Sequence, residues 1–394
     1  LKSGLEVYAG FRDTMQKEGR TVLSGEEAFK LHDTFGFPVD LTAVVAEEDG
    51  FTVDHEGFAQ CMERQRAQSG SDRVFKAGLG AWLMVDESVD LGGYHNTFTG
   101  YDALEGEGRA VAVRPAGEDE NGAPLSQILV DRTPFYGTSG GQVGDTGVLV
   151  IGTREVPVLA CEKSSEGNVL MVAGQAAPLR EELAANPVLP MRVNAGARRE
   201  TMRHHTATHL LHATLREVLG DHVEQAGSEV TPERLRFDFR HDKAVTSEEL
   251  TRIEGIVQQK ILRNEAVNRH EDVPLDEARG MGAMALFGEK YGDRVRVIEI
   301  PGAEDLGGSI ELCGGTHCAA TGEIGPFRIL SESSVSAGVR RIEAVAGNAA
   351  LEVERRERAA LRDLGSLLRP DGGPYAEQVQ ALIEESKALR KELA

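Results

Sequence analysis

The sequence predicts a multidomain α+β protein: a helical N-terminal segment, a small β-barrel, an α+β domain and a C-terminal helical segment. Three observations lead there. The chain has 394 residues, room for two to four domains at roughly 100–200 residues each. Apolar residues make up 40% and charged residues 27%, the balance of a globular chain rather than a fibrous or disordered one. The residue pattern also changes character three times along the chain.

Residues 1–90 read as a helical segment, over 1–70, followed by a linker. Ser24 and Glu27 have capping-box spacing, and Phe29, Leu31 and Phe35 follow before a break at Gly36-Phe37-Pro38. A second helix is expected over 56–68, closed by Ser69-Gly70-Ser71. Residues 91–188 carry short β runs at 110–113, 127–130, 148–151, 156–160 and 169–173, separated by turn-rich stretches at 118–124 and 139–147. That spacing predicts a small barrel, closed off by Pro187 and Pro190. Residues 189–348 mix the two periods. A long helix is expected over 198–219 with Gly220 just past its end, and a strand over 235–239. A second long helix should start at Thr246 and run to about residue 264, with strands at 295–300 and 327–330. Residues 349–394 are helical again, broken at 369–374, and Val379, Leu382, Ile383, Ser386, Leu389 and Leu393 approximate a coiled-coil seam. The chain starts at Leu1 and stops at Ala394 inside a helical pattern, so it reads as a piece of something longer.

Charge and composition narrow the function. With 43 Lys and Arg against 64 Asp and Glu, the formal charge is −21. This argues against coating nucleic acid, DNA included, through bulk charge, while leaving room for a local basic groove. No run approaches the ~18 apolar residues of a membrane span, and the start lacks a signal-peptide pattern. Four cysteines (Cys61, Cys161, Cys313 and Cys318) are too sparse for a disulfide scaffold. The expectation is a cytoplasmic protein with reduced thiols or a metal site.

Chemistry concentrates in two places. His205-Thr206-Ala207-Thr208-His209 puts two imidazoles at i and i+4 of one helix, hence on one face. Thr206 stands where a metalloprotease helix carries its glutamate base, so zinc-protease chemistry is disfavoured. Downstream, Cys313-Gly314-Gly315-Thr316-His317 supplies a thiol and an imidazole on a tight glycine loop. Four borderline-soft ligands of this kind suit Zn²⁺, as a closed structural site or as one whose open position takes water or substrate. His212 and Cys318 are read as a packing histidine and a small buried residue.

Elsewhere, Ser139-Gly140-Gly141-Gln142 offers backbone N–H groups that could face an anion. Arg192, Arg198, Arg199 and Arg203, with Arg340-Arg341, could hold phosphodiesters near the metal; solvated arginines are the competing reading.

Together these segments resemble the alanyl-tRNA synthetase family over nearly the whole chain. The segments are Leu31-His32-Asp33-Thr34-Phe35-Gly36-Phe37-Pro38-Val39-Asp40-Leu41-Thr42, DRTPFYGTSGGQVGDTG at 131–147, RHHTATHLLH at 203–212, AMALFGEKYGD at 283–293, SIELCGGTH at 309–317 and GVRRIEA at 338–344. The paired histidine and Cys-His patterns alone are shared with threonyl-tRNA synthetase editing domains and free-standing editing proteins. The resemblance implies the end of a tRNA-recognition region, a zinc-containing editing domain and the start of coiled-coil, homodimer-forming helices. No class II active-site motif or P-loop is found, so alanine activation with ATP and Mg²⁺ is expected in a domain outside this chain. The implied reaction is hydrolysis of Ser-tRNA(Ala) and Gly-tRNA(Ala). His205, His209, Cys313 and His317 would hold one Zn²⁺. Gln225, Thr138 and Thr208 would act in the reaction, and Gly140, Gly141, Gln142, Arg203 and Arg341 would contact tRNA. The rival readings are a non-catalytic zinc-stabilised tRNA-binding or dimerising module, and a broader zinc esterase or amidase.

Overall fold

The computed structural model describes residues 2–35, 39–55, 57–58, 79–285, 292–303, 306–368 and 373–392. The break at residues 36–38, most of the helix expected over 56–68, Cys61, the middle of 283–293, residues 369–372 and Leu393 lie outside the described residues.

The chain begins with α1 (Lys2–Glu18), β1 (Val22–Leu23), α2 (Gly25–Phe35), α3 (Val39–Glu48) and β2 (Thr52–Val53). Tyr8, Met15, Leu23, Ala28, Leu31 and Ala46 close a small core among them. The expected capping box is present at α2. The Glu27 amide donates to Ser24 Oγ at 3.3 Å and the Ser24 amide to Glu27 Oε2 at 2.9 Å, which satisfies two otherwise orphaned donors.

The strand region comprises β3 (Leu83–Met84), β4 (Thr97–Phe98), β5 (Glu105–Glu118), β6 (Pro124–Val130), β7 (Arg132–Thr133), β8 (Gly147–Ile151), β9 (Arg154–Val158), β10 (Ala160–Ser164), β11 (Gly167–Ala173), α4 (Ala176–Ala185) and β12 (Val188–Val193). Eight strands form one sheet in the order β10-β11-β6-β5-β12-β8-β9, with β3 added on β5. The expected barrel does not close. Its end strands β9 and β10 are consecutive and separated only by Leu159, and a hairpin needs a turn of at least two residues to bring neighbours into a ladder. The sheet instead folds over one core, in which Ala176, Leu179 and Leu183 of α4 join residues of β5, β6, β8, β9, β11 and β12. The strand spacing gave no sign of α4. The sheet also reaches back through β3 into residues expected to be a linker.

The α+β region comprises α5 (Ala195–Leu219), β13 (Gln225–Val230), β14 (Leu235–Arg240), α6 (Ser247–Leu262), β15 (Asn268–Pro274), α7 (Leu275–Gly280), β16 (Arg294–Ile300), β17 (Ser309–Leu312), β18 (Phe327–Ser336) and β19 (Val339–Ala346). Two antiparallel sheets result, β13-β14-β19-β18 and β15-β16-β17. Leu210, Leu211 and Leu215 of α5 pack with Phe237, Phe239, Ile253 and Val257 in one core. Asn194 caps α5 by accepting from the Ala197 amide, and Gly220 ends it at φ 117°, in the left-handed half of φ that favours glycine. Thr246 and Glu249 make a full capping box on α6.

Helices α8 (Gly347–Leu367) and α9 (Tyr375–Glu392) follow, with Leu361, Leu367, Leu382, Ile383 and Leu389 exposed. Among the described residues no helix is long and apolar enough to cross a membrane.

Arg198 joins the strand region to α5. Its side chain is 1% exposed. It pairs with Asp145 and donates to the carbonyls of Gly100 at 2.6 Å and Pro134 at 2.9 Å. An arginine expected to face phosphates is therefore a buried tie.

Candidate metal centre and the cleft beside it

Helical spacing and strand alternation bring four donors to one point. His205 and His209 sit one turn apart on α5 with rings stacked at 5.4 Å. Cys313 and His317 come from the loop after β17. The four ligand atoms lie within 4.8 Å of one another, with Cys313 Sγ 3.5 Å from His205 Nε2 and 3.3 Å from His317 Nε2.

Each imidazole is oriented from behind. His205 Nδ1 bonds Gln142 Oε1 at 2.8 Å, His209 Nδ1 bonds Glu311 Oε2 at 2.7 Å, and His317 Nδ1 lies 3.4 Å from Thr206 Oγ1. That leaves every Nε2 facing the cluster, and the buried His209 Nε2 has no hydrogen-bond partner among the described residues. Three oriented imidazoles, one thiol and an orphaned buried nitrogen fit a four-coordinate borderline cation.

The electrostatics agree. Burial opposes the Cys313 thiolate, but His205 and His317 beside it outweigh burial and hold its pKa well below the usual thiol range. Burial and His205 depress His317 to about 3, leaving its lone pair free. Burial would lower His209 too, yet the Glu311 carboxylate raises it to about 10; a bound cation would displace that proton.

Glu311 had no assigned role at the sequence level. It accepts from His209 and, at 2.9 Å, from His212, and its other neighbour is the Ser309 hydroxyl at 3.1 Å. The available signal was strand alternation, because residues 311 and 313 share a face of the strand leading into the loop. His212, read as a packing histidine, is held by the same carboxylate.

A cleft of about 430 Å³ opens beside the cluster. The strand region contributes Phe98, Tyr101, Tyr136, Ser139, Gly140 and Lys163, and the α+β region Thr208, Gln225, Ser228, Cys313 and Gly314. The Ser139–Gln142 turn reaches it because Gly140 (φ 57°) and Gly141 (φ 80°) both take left-handed conformations. A Cβ on Gly141 would stand 2.5 Å from the Ser228 carbonyl of β13.

The sequence-predicted residues separate accordingly. His205, His209, Cys313 and His317 come together, and Gln225, Thr208 and Gly140 line the cleft. The Gln225 side-chain amide has no partner among the described residues, whereas the Thr208 hydroxyl donates to His204 O at 2.8 Å. Gln142 is fully buried and holds His205 and Thr316, so its side chain is not presented to a nucleic acid. Thr138 is turned into its own loop, donating to Cys161 O and accepting from the Gly144 amide. Arg341 makes a two-point pair with Asp238 across β14 and β19, and Arg203 pairs with Glu200 at 2.5 Å.

Residues 1–183 match the family described as tRNA synthetases class II (A). Residues 295–343 match the Threonyl and Alanyl tRNA synthetase second additional domain; this segment holds Cys313 and His317 but not the histidines of α5. The whole chain aligns with alanine–tRNA ligases from Chlorobium phaeovibrioides (44% identical), Methylobacillus flagellatus (42%) and Bacteroides fragilis (41%). It spans 42–44% of the length of these relatives. Over its full length, then, the chain is a homologue of the alanine–tRNA ligases and carries the additional domain that threonyl and alanyl tRNA synthetases share.

Proposed function

We propose that this chain is the editing part of an alanine–tRNA ligase, hydrolysing the ester that joins serine or glycine to tRNA(Ala). The observation that carries this reading is the four-donor cluster opening onto a cleft built jointly by the strand and α+β regions. His205, His209, Cys313 and His317 would hold one Zn²⁺, which would supply a Lewis acid at the floor of the cleft.

The chain's own residues supply positioning and selection. Gln225, whose side-chain amide is unpaired among the described residues, would orient a water or the ester carbonyl. Thr208 has spent its proton on a backbone carbonyl, so its oxygen accepts from a substrate hydroxyl. Alanine exceeds glycine by a methyl group and serine exceeds alanine by a hydroxyl, so a size sieve cannot reject both. A serine hydroxyl answers a polar group in the cleft; the alanine methyl leaves it unpaired, at a cost of ~1–3 kcal/mol. Gly140 and Tyr101 form walls against which the terminal nucleoside would lie.

In the longer protein, ATP and Mg²⁺ would serve aminoacylation elsewhere, α8 and α9 would contribute to a homodimer, and the location would be the cytoplasm. Four protein donors also favour a second reading, since such a set is the usual mark of a closed structural zinc site.

The deciding experiment compares deacylation of Ser-tRNA(Ala) and Ala-tRNA(Ala) by the purified chain and its Cys313→Ala variant, with zinc quantified in each. The expected result is selective loss of serine by the wild type, abolished together with the metal in the variant. Full zinc occupancy without cleavage of either ester would instead support the structural reading.

A further inference from the structure

The loop carrying Cys313 and His317 contains Gly314 and Gly315, and glycine has more backbone freedom to lose than any other residue. The fold holds this loop from outside at one backbone group after another. The Cys313 amide donates to the Arg296 carbonyl at 3.1 Å. Arg296 Nη1 donates to the carbonyls of Cys313 at 3.1 Å and Gly315 at 2.8 Å. Between those two, the Tyr101 hydroxyl donates to the Gly314 carbonyl at 2.8 Å. Two side chains thus engage three successive carbonyls of the loop. The Thr316 amide then donates to Gln142 Oε1 at 2.9 Å.

Tyr101 and Arg296 also hold each other. The guanidinium carbon of Arg296 lies 4.0 Å from the centre of the Tyr101 ring, and its Nε pairs with Glu271 at 2.7 Å. Phe98 meets the Tyr101 ring in a T-shaped contact at 4.8 Å. Arg296 belongs to β16, but Tyr101 lies between β4 and β5 of the strand region. That region supplies none of the four clustered donors, yet it contributes Tyr101 and Gln142 to the loop that carries two of them. The fit leaves little room for the loop to slide. A Cβ on Gly315 would stand 2.1 Å from His205 Cε1, and a shifted loop would move Cys313 Sγ from its place 3.5 Å from His205 Nε2. Metal–ligand distances tolerate only about 0.2 Å.

We propose that Tyr101 and Arg296 are positioning residues for the metal loop, a clamp that holds backbone 313–315 where Cys313 and His317 can share one ion with His205 and His209. It rests on the metal assignment that belongs to the editing reading. The clamp gives the strand region a task in the site separate from forming a wall of the cleft. With either side chain cut back, a glycine-rich loop regains freedom that binding an ion must then remove, so affinity falls. A contact that merely supported the fold would lower the stability of the metal-free protein and leave the affinity of the folded protein unchanged.

The test titrates the whole chain, stripped of metal, with Zn²⁺ in competition with a chromophoric chelator, and with Co²⁺, whose absorption reports ligand geometry. Tyr101→Phe deletes one oxygen and keeps the ring. It and Arg296→Gln should each weaken metal binding by about tenfold and alter the Co²⁺ spectrum. The double variant should lose less than the product of the two single losses, because either change already frees the loop. Arg296→Lys, which keeps the charge without the planar fork, should recover part of the loss. The control Tyr94→Phe, at a ring packed against the Val111, Ala112, Leu129 and Val169 cluster, should bind metal as the wild type does. The melting temperature of the metal-free protein identifies a variant that has not folded, and Tyr101→Phe carries the test if Arg296→Gln is one. Affinity and Co²⁺ spectrum unchanged in folded Tyr101→Phe overturn the clamp, as does a wild type that takes up neither ion. Serine release is measured in parallel. Weakened metal binding in the variants, with Ser-tRNA(Ala) left intact by the wild type, sinks the editing reading and keeps the clamp; serine release by the wild type with unchanged affinities does the reverse.

Discussion

Glu311 orients the candidate metal cluster without belonging to its four donors. Its carboxylate fixes the tautomer of both His209 and His212 through Nδ1. Burial would raise its pKa, but the two imidazoles outweigh that and hold it far below the ordinary carboxylate range. Glu311→Gln keeps the shape and removes the charge, and should weaken metal binding by about 10–100-fold, measured by competition with a chromophoric chelator. The cysteines give a second expectation. Burial pushes the Cys161 thiol well up and Cys318 to about 12, whereas Cys313 is held as a thiolate. In a Cys61→Ser background, the metal-loaded native protein should leave these thiols unreactive to a disulfide reagent, and chelation should expose one, lost in Cys313→Ala. Rapid reaction of Cys161 or Cys318 in the native state would contradict the packing described for them.

Among the elements, α5 does the most. One face carries His205 and His209, another packs Leu210, Leu211 and Leu215 into the core, and its first turns carry Arg198 into the strand region. Arg198 and Asp145, both nearly inaccessible, form a buried ion pair whose half-removal leaves an uncompensated charge. Asp145→Asn should therefore lower stability by about 3–5 kcal/mol in urea unfolding, while R198M/D145L should lose considerably less. Equal losses in the two would show that the carbonyl contacts of Arg198, rather than its charge, hold the regions together.

Across the molecule, the four-donor cluster ties α5 to a loop more than 100 positions away, because residues 205 and 313 meet at 3.5 Å. An ion bound only by the folded state stabilises it by mass action, about 2.7 kcal/mol when its free concentration is a hundredfold above Kd. Chelation should accordingly lower the melting temperature of the wild type and leave that of Cys313→Ala unchanged in calorimetry. Acid should release the ion, since each ligand must be deprotonated to bind.

The sequence by itself determined what depends on local spacing. The histidine pair follows from helical periodicity, the Cys-His loop from its glycines, the α2 capping box from Ser24-Glu27, the start of α6 from Thr246, and β6, β8, β11, β14 and β16 from short runs between turns. It also carried the family resemblance that the full-length homology bears out. Tertiary structure decided what depends on long-range approach. It turned Gln142 inward onto His205 and made Arg198 a buried tie. It engaged Arg341 with Asp238, gave Glu311 its two imidazoles, and left the eight-stranded sheet open where strand spacing suggested a barrel. In each case the partner lies far off in the chain, or the outcome depends on which strands pair, and no periodicity records which distant carboxylate, carbonyl or strand will arrive.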